Sequence, residues 1–205
     1  MDHFAVLDHP RQPWIDLEAL KERFLQLSMT AHPDRFHNGT VEELAAATAR
    51  YAELNAAHNC LRDPKARVLH LLELELGRPP ANLKDIPAET MDLFMEVGQA
   101  CREADRIVMA KAKATSPLLQ AQWFEPAMAC SEKLSALLQR IHLRRETLLT
   151  ELQAMNPAWE SAPPPSSAAR AAALPLRRLE EMGRDLSYLS RWSGQLQERI
   201  GQLSI

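Results

Sequence analysis

Aromatic side chains, an excess of positive charge and long apolar runs are what this sequence has least of. Only 5% of its 205 residues are Phe, Trp or Tyr, and the 24 Lys and Arg are outnumbered by 27 Asp and Glu, for a formal net charge of -3. Binding phosphate requires a basic face, so this balance argues against nucleic acid as the main partner. No apolar run reaches the length that spans a bilayer, which argues against a membrane role. The opening Met1-Asp2-His3-Phe4 lacks the basic-then-apolar layout of an export signal, and a cytoplasmic location is expected. No stretch alternates apolar with polar over enough residues to make a convincing strand. Cys60, Cys101 and Cys130 are odd in number and widely spaced, with no Cys-x-x-Cys pair. Buried free thiols are expected and no metal, because His37, His58, His70 and Cys60 fall on different elements without ligand spacing. Neither a nucleophile with its base, nor a phosphate loop, nor a carboxylate pair at catalytic spacing occurs, so no enzyme and no cofactor are expected.

What the chain does have is helical periodicity, carried by an apolar content of 46% that is ample for a core. The expected class is all-α. Phe4, Val6 and Leu7 form a short opening turn. Asp16 caps a helix whose Leu17, Leu20, Phe24, Leu27 and Ala31 recur every three or four residues, and Pro33 stops it. Thr40-Val41-Glu42-Glu43 matches a capping box and opens a second helix with Leu44, Ala47, Tyr51, Leu54, His58 and Leu61 on one stripe. Joined by a short loop, the two must run antiparallel. Asp63-Pro64 starts a third helix, which Gly77 and Pro79-Pro80 end.

Residues 77 to 86 read as a connector between a domain at 1 to 76 and a three-helix bundle at 87 to 205. Met91, Phe94, Met95, Cys101, Ala104, Ile107 and Val108 give the first bundle helix. Ser116-Pro117 caps the second, which runs toward Leu152 with a kink or break expected at Pro126. Pro157, Pro163, Pro164, Pro165 and Pro175, among Ser and Ala, mark about 157 to 175 as a flexible insertion unable to form a packed core. Leu176 through Ile200 form the third helix.

His32-Pro33-Asp34 sits where one helix must stop and a loop begin. Proline fixes its own φ and moves the preceding residue out of the α region, so an imidazole and a carboxylate are held at a rigid exposed corner. A histidine or an acid at a helix end is ordinarily a cap or a solvated group; here the surroundings add weight. Phe4-Ala5-Val6-Leu7, His32-Pro33-Asp34-Arg35-Phe36, Asn55-Ala56-Ala57 and Leu61-Arg62-Asp63-Pro64 together resemble a J domain. That resemblance implies docking of the loop and the preceding helix on an ATPase chaperone of the DnaK type, whose ATP hydrolysis it stimulates. His32, Pro33 and Asp34 would be the critical contacts, with Lys21, Arg23 and Arg35 as cationic ones. Met29, Thr30 and Ala31 stand where basic and tyrosyl residues are usual, which implies weaker steering toward an acidic surface.

Over its whole length the chain is similar to the HscB family of J-type co-chaperones in iron-sulfur cluster biogenesis. Met1-Asp2-His3-Phe4, Ala66-Arg67, Leu71-Leu72 and Leu93-Phe94-Met95-Glu96 carry this likeness. It implies a J domain followed directly by a three-helix bundle that binds an IscU-type scaffold and delivers it to a DnaK/HscA-type ATPase chaperone. Phe94, Met95 and Glu96, with Tyr188 from the last helix, would form the scaffold-binding face. Gly98, Gln99, Arg102 and Arg106 depart from the Leu or Glu expected there. Two other readings stand beside this one: a J-domain adaptor for another client, and a helical interaction protein with a degenerate J domain.

Overall fold

Capping chemistry decides where the first helices begin and end. In the computed structural model, which describes residues 1–37, 39–80 and 90–204 apart from the side chains of 117 and 118, the order is α1 (His3–Val6), α2 (Leu17–Ala31), a 3₁₀ turn (Pro33–Phe36), α3 (Val41–Arg62), α4 (Pro64–Leu76), α5 (Met91–Lys113), α6 (Pro117–Ala121), α7 (Phe124–Glu160), α8 (Arg170–Ala173) and α9 (Leu176–Ser204). No strand occurs among the described residues, in keeping with the all-α expectation. Asp16 Oδ1 accepts from the amides of Glu18 and Ala19 at 2.9 and 3.3 Å. Thr40 and Glu43 form the reciprocal capping box, at 2.8 and 3.2 Å. Asp63 caps α4 with Pro64 at its first position, and Gly77 closes it at φ 66, a left-handed value that favours glycine. Of the expected connector, residues 81 to 86 lie outside the described residues.

Two compact units divide the chain: Met1–Ala81 with Leu149–Gly183, and Asn82–Leu148 with Arg184–Ile205. In the first, Phe24 of α2 stacks on His58 of α3 with centroids 4.3 Å apart, and His32 meets Tyr51 edge-on at 5.1 Å. As the number rises along α2 it falls along α3, so the pair is antiparallel. Phe4, Leu7, Leu20, Leu54, Ala57, Leu61 and Leu71 are buried between α1, α2, α3 and α4, each large side chain worth ~1.5–3 kcal/mol. Leu17 and Leu44 were expected on the buried stripes and are exposed; each lies in the first turns of its helix, at an end of the packed seam. Arg67 is 1% exposed. Its guanidinium donates to the carbonyls of Pro13 at 2.9 Å and Leu61 at 2.6 Å, tying the segment before α2 to the end of α3.

The proline-rich segment differs from the sequence expectation. α7 runs on to Glu160 through Pro157, and a short helix covers Arg170–Ala173. Continuation past Pro157 is tolerated because the carbonyl one turn back belongs to Gln153, whose exposed position leaves it to water. Arg170 pairs with Glu75 at 2.7 and 2.9 Å and donates to the Pro163 carbonyl at 2.6 Å, while Trp159, Leu174 and Leu176 are buried. Asn156 exchanges two 3.0 Å hydrogen bonds with the backbone of Trp14. One buried ion pair and a few apolar anchors suffice to pack a segment whose prolines already restrict its unfolded states.

In the second unit, Val97, Ala100, Ala104 and Ile107 of α5, Leu134, Leu137 and Ile141 of α7, and Leu186, Leu189, Trp192 and Leu196 of α9 are the buried stripes. Ion pairs edge them: Glu103 with Lys133 at 2.6 Å, Asp105 with Arg199 at 2.9 Å, Asp185 with Arg144 at 3.3 Å. Cys101 and Cys130 are buried free thiols as expected, whereas Cys60 is only half-buried. The break expected at Pro126 falls instead at residues 122 and 123, between α6 and α7. Pro126 sits in the first turn of α7, where a missing amide hydrogen breaks no helical bond.

Candidate interaction surfaces

The end of α2 builds the first surface. His32 leaves the helix at φ -65, ψ 129, the extended conformation that a following proline demands, and Pro33 opens the 3₁₀ turn. The amide of Asp34 donates to His32 Nδ1 at 3.3 Å, and the Asp34 carboxylate stands 3.5 Å from the same nitrogen. The two contacts are alternatives: Nδ1 accepts from the amide when it carries no proton and donates to the carboxylate when it does. Further bonds brace the corner. The Arg35 amide donates to the His32 carbonyl at 3.1 Å, Arg35 Nη1 to the Met29 carbonyl at 3.2 Å, and His37 Nδ1 lies 2.8 Å from the Asp34 carbonyl. Against this braced backbone the side chains face outward, His32 being 42% and Asp34 89% exposed.

The cations named from the sequence are dispersed. Lys21 is exposed and 3.5 Å from Glu18. Arg23 points to the other side of α2 from Lys21, at 100° per residue, and pairs with Asp8, a residue held at φ 50. Arg35 is spent partly on Met29. In their place the helix shows a row that periodicity misassigned or passed over: Leu17, Lys21, Leu25 and Met29, at four-residue intervals, are all exposed, Met29 to 70%. Its signal was available, since Leu25 and Met29 fall off the buried stripe.

The second surface lies on α5 and α9. Phe94 is partly exposed and its ring centroid is 6.1 Å from that of Trp192, which stands 5.5 Å from Tyr188. Tyr188 is only 7% exposed, with the Arg191 guanidinium 5.6 Å from its ring centre. It therefore supports the aromatic cluster from beneath. Trp192 bridges the two, a role the sequence reading did not give it. Met95 is exposed, as are Met91 and Met109 on the same helix. Glu96 is engaged by Arg140 of α7, with one bond at 3.0 Å, and that guanidinium holds its carboxyl below the usual carboxylate range. Gln99, Arg102, Asp105, Arg106 and Met109 line a shallow depression beside it. Thus Phe94 and Tyr188 come together through Trp192, while Glu96 turns to α7.

The chain thus presents a braced His-Pro-Asp corner on an antiparallel hairpin and continues into the helices α5, α7 and α9. Its likeness is to HscB. The chain is 28% identical, over 148 residues, to the co-chaperone protein HscB homolog of Haemophilus ducreyi, spanning 72% of this chain and 85% of that one. The chaperone HscB from Vibrio cholerae shares its fold with a TM-score of 0.62 at 18% identity, over 99% of both chains. The human co-chaperone protein HscB superposes with a TM-score of 0.62 at 19% identity, over 100% of this chain and 83% of that one. No protein-family model matches. These likenesses bear out the HscB-type resemblance read from the sequence. No described helix is long and apolar enough to cross a membrane.

Proposed function

We propose that this chain is an HscB-type co-chaperone. Its His32-Pro33-Asp34 corner stimulates ATP hydrolysis in a DnaK/HscA-type chaperone, and its α5 face, Phe94, Met95 and Glu96 backed by Tyr188, holds an IscU-type iron-sulfur scaffold. The observation that carries the reading is the outward placement of the His32 ring and the Asp34 carboxylate on a hydrogen-bonded corner. The exposed row Leu17, Lys21, Leu25 and Met29 leads along α2 to that corner and offers apolar area with one cation. It supports docking by contact more than by long-range charge. For such docking to speed hydrolysis, these contacts must favour the hydrolysis-competent state of the ATPase over its resting state, since equal affinity shifts nothing. The chain has no chemistry of its own in this scheme; it changes the turnover of another enzyme, in the cytoplasm.

Single-turnover ATP hydrolysis by the chaperone, with and without the co-chaperone, tests the reading. His32→Gln is expected to cut stimulation at least tenfold, about 1.4 kcal/mol of transition-state energy, with an unchanged circular dichroism spectrum. Equal stimulation by wild type and variant overturns it. A second reading, an adaptor for a different client, draws on the exposed Arg102 and Arg106, which make the outer row of α5 cationic. Capture of the scaffold by the full chain, weakened by Phe94→Ala, favours the first reading; a pull-down that finds no cluster scaffold favours the second.

A further inference from the structure

His3 of α1, Cys60 of α3 and His70 of α4 meet in the first unit, one ligand-type atom from each lying within 4.8 Å of the others. Spacing along the chain hides this, since three separate helices supply the groups. The His3 and His70 rings are 4.5 Å apart between centroids, tilted by 42°, and the His3 amide donates to His70 Nε2 at 3.1 Å. His3 Nδ1 is buried without a hydrogen-bond partner. A buried ring nitrogen left in that state is costly, and a bound ion would satisfy it. Burial lowers the basicity of both imidazoles, so both are neutral lone-pair donors near pH 7. Burial also pushes the Cys60 thiol up to about 11, so its proton stays until something displaces it.

We propose that His3, Cys60 and His70 bind a zinc ion, leaving a fourth position for water. Two imidazoles and one thiolate are the N/S donors that zinc takes, and a set without oxygen ligands disfavours calcium and magnesium. Metal bonds of roughly 2.0–2.3 Å place tetrahedral donors roughly 3.5 Å apart, so side-chain rotations that draw the three atoms together by roughly 1 Å complete the site. A neutral imidazole has one lone pair, so zinc ligation through either nitrogen of His70 ends the His3 amide bond: through Nε2 it takes the accepting lone pair, and through Nδ1 it leaves the ring proton on Nε2. On binding, the Cys60 S–H bond breaks, a Zn–S bond forms from the same electron pair, and one proton leaves to solvent with no change of oxidation state. The ion would clamp α1 to the α3–α4 corner.

Metal-free full-length protein titrated with Co(II), then Zn(II), tests the assignment without any chaperone. One equivalent of cobalt should give a thiolate charge-transfer band and tetrahedral d–d bands, which zinc abolishes. Zinc at 100 times its Kd should raise Tm by about 5 °C or more. Cys60→Ser should lose both signals, and Cys101→Ser, in the other unit, should keep both. His3→Gln should weaken binding by more than about tenfold, since even loss of an outer-shell partner costs that much. Circular dichroism of each variant separates lost ligation from lost folding, and His3→Gln carries the test should Cys60→Ser unfold. A wild-type protein without the thiolate band, or a band that survives Cys60→Ser in folded protein, overturns the proposal.

Discussion

The corner at residues 32 to 34 and the face at residues 94 to 96, the two contact surfaces proposed above, both hold polar and apolar groups outward and do so differently. The corner is built from bonds within six residues: a proline, a 3₁₀ turn, the Asp34 amide on His32 and the Arg35 side chain on Met29. The α5 face has no such local frame. Its Phe94 depends on Trp192 and Tyr188 of α9, and its Glu96 on Arg140 of α7. Recognition built from neighbours in sequence survives changes elsewhere, whereas recognition built from three helices inherits every fault in their packing.

The largest test of that contrast removes support from the hairpin without touching the corner. Arg67→Ala strands the buried Pro13 and Leu61 carbonyls and leaves a cavity, and should cost about 3–5 kcal/mol in urea unfolding. If the corner is locally framed, ATPase stimulation per folded molecule should survive. Trp192→Ala should cost about 3 kcal/mol and weaken scaffold binding as well, whereas Met95→Ala, at an exposed position, should weaken binding with no loss beyond about 0.5 kcal/mol of stability. Scaffold binding unaffected by Trp192→Ala would mean that the face needs no aromatic support.

The smallest effect is a difference in pH window. Burial, with Arg62 nearby, holds His58 of the hairpin below the ordinary 6.5 of imidazole. Because protons then prefer the unfolded chain, its contribution is complete above pH 6.5 and is lost as pH falls through the lower folded value. Arg140 holds Glu96 below the ordinary 4.5, so that contribution is present above pH 4.5 and lost as pH falls through the folded value. Solvent screening limits the exposed pair to about 0.5 kcal/mol. Thermal melts should show His58→Phe flattening the slope just below pH 6.5 and Glu96→Gln flattening only the one below 4.5.

The same distinction explains what could be read before any coordinates. Asp16, the Thr40/Glu43 box, Asp63-Pro64 and Gly77 act within four residues, and each helix end they imply stands where expected. The hairpin and the exposed corner followed from them. Burial was less legible, because periodicity does not say where a facing helix runs out: Leu17 and Leu44 lie on the right stripes but past the covered seam. Contacts between distant segments left no trace in local pattern. Neither Arg170 on Glu75, nor Trp192 between Phe94 and Tyr188, nor His3 beside Cys60 and His70 could be inferred from spacing, since each pairs groups that only the folded chain brings together.

Gly183 adds a practical consequence. A methyl group there would stand 3.3 Å from Leu69 and from Val68, so the backbone of α9 lies directly against α4, the helix that also carries Glu75, the partner of Arg170. Excising residues 1 to 76 would lay bare aliphatic side chains and strand a carboxylate. Such a fragment should be sticky and short-lived in solution unless residues 149 to 183 are supplied alongside it.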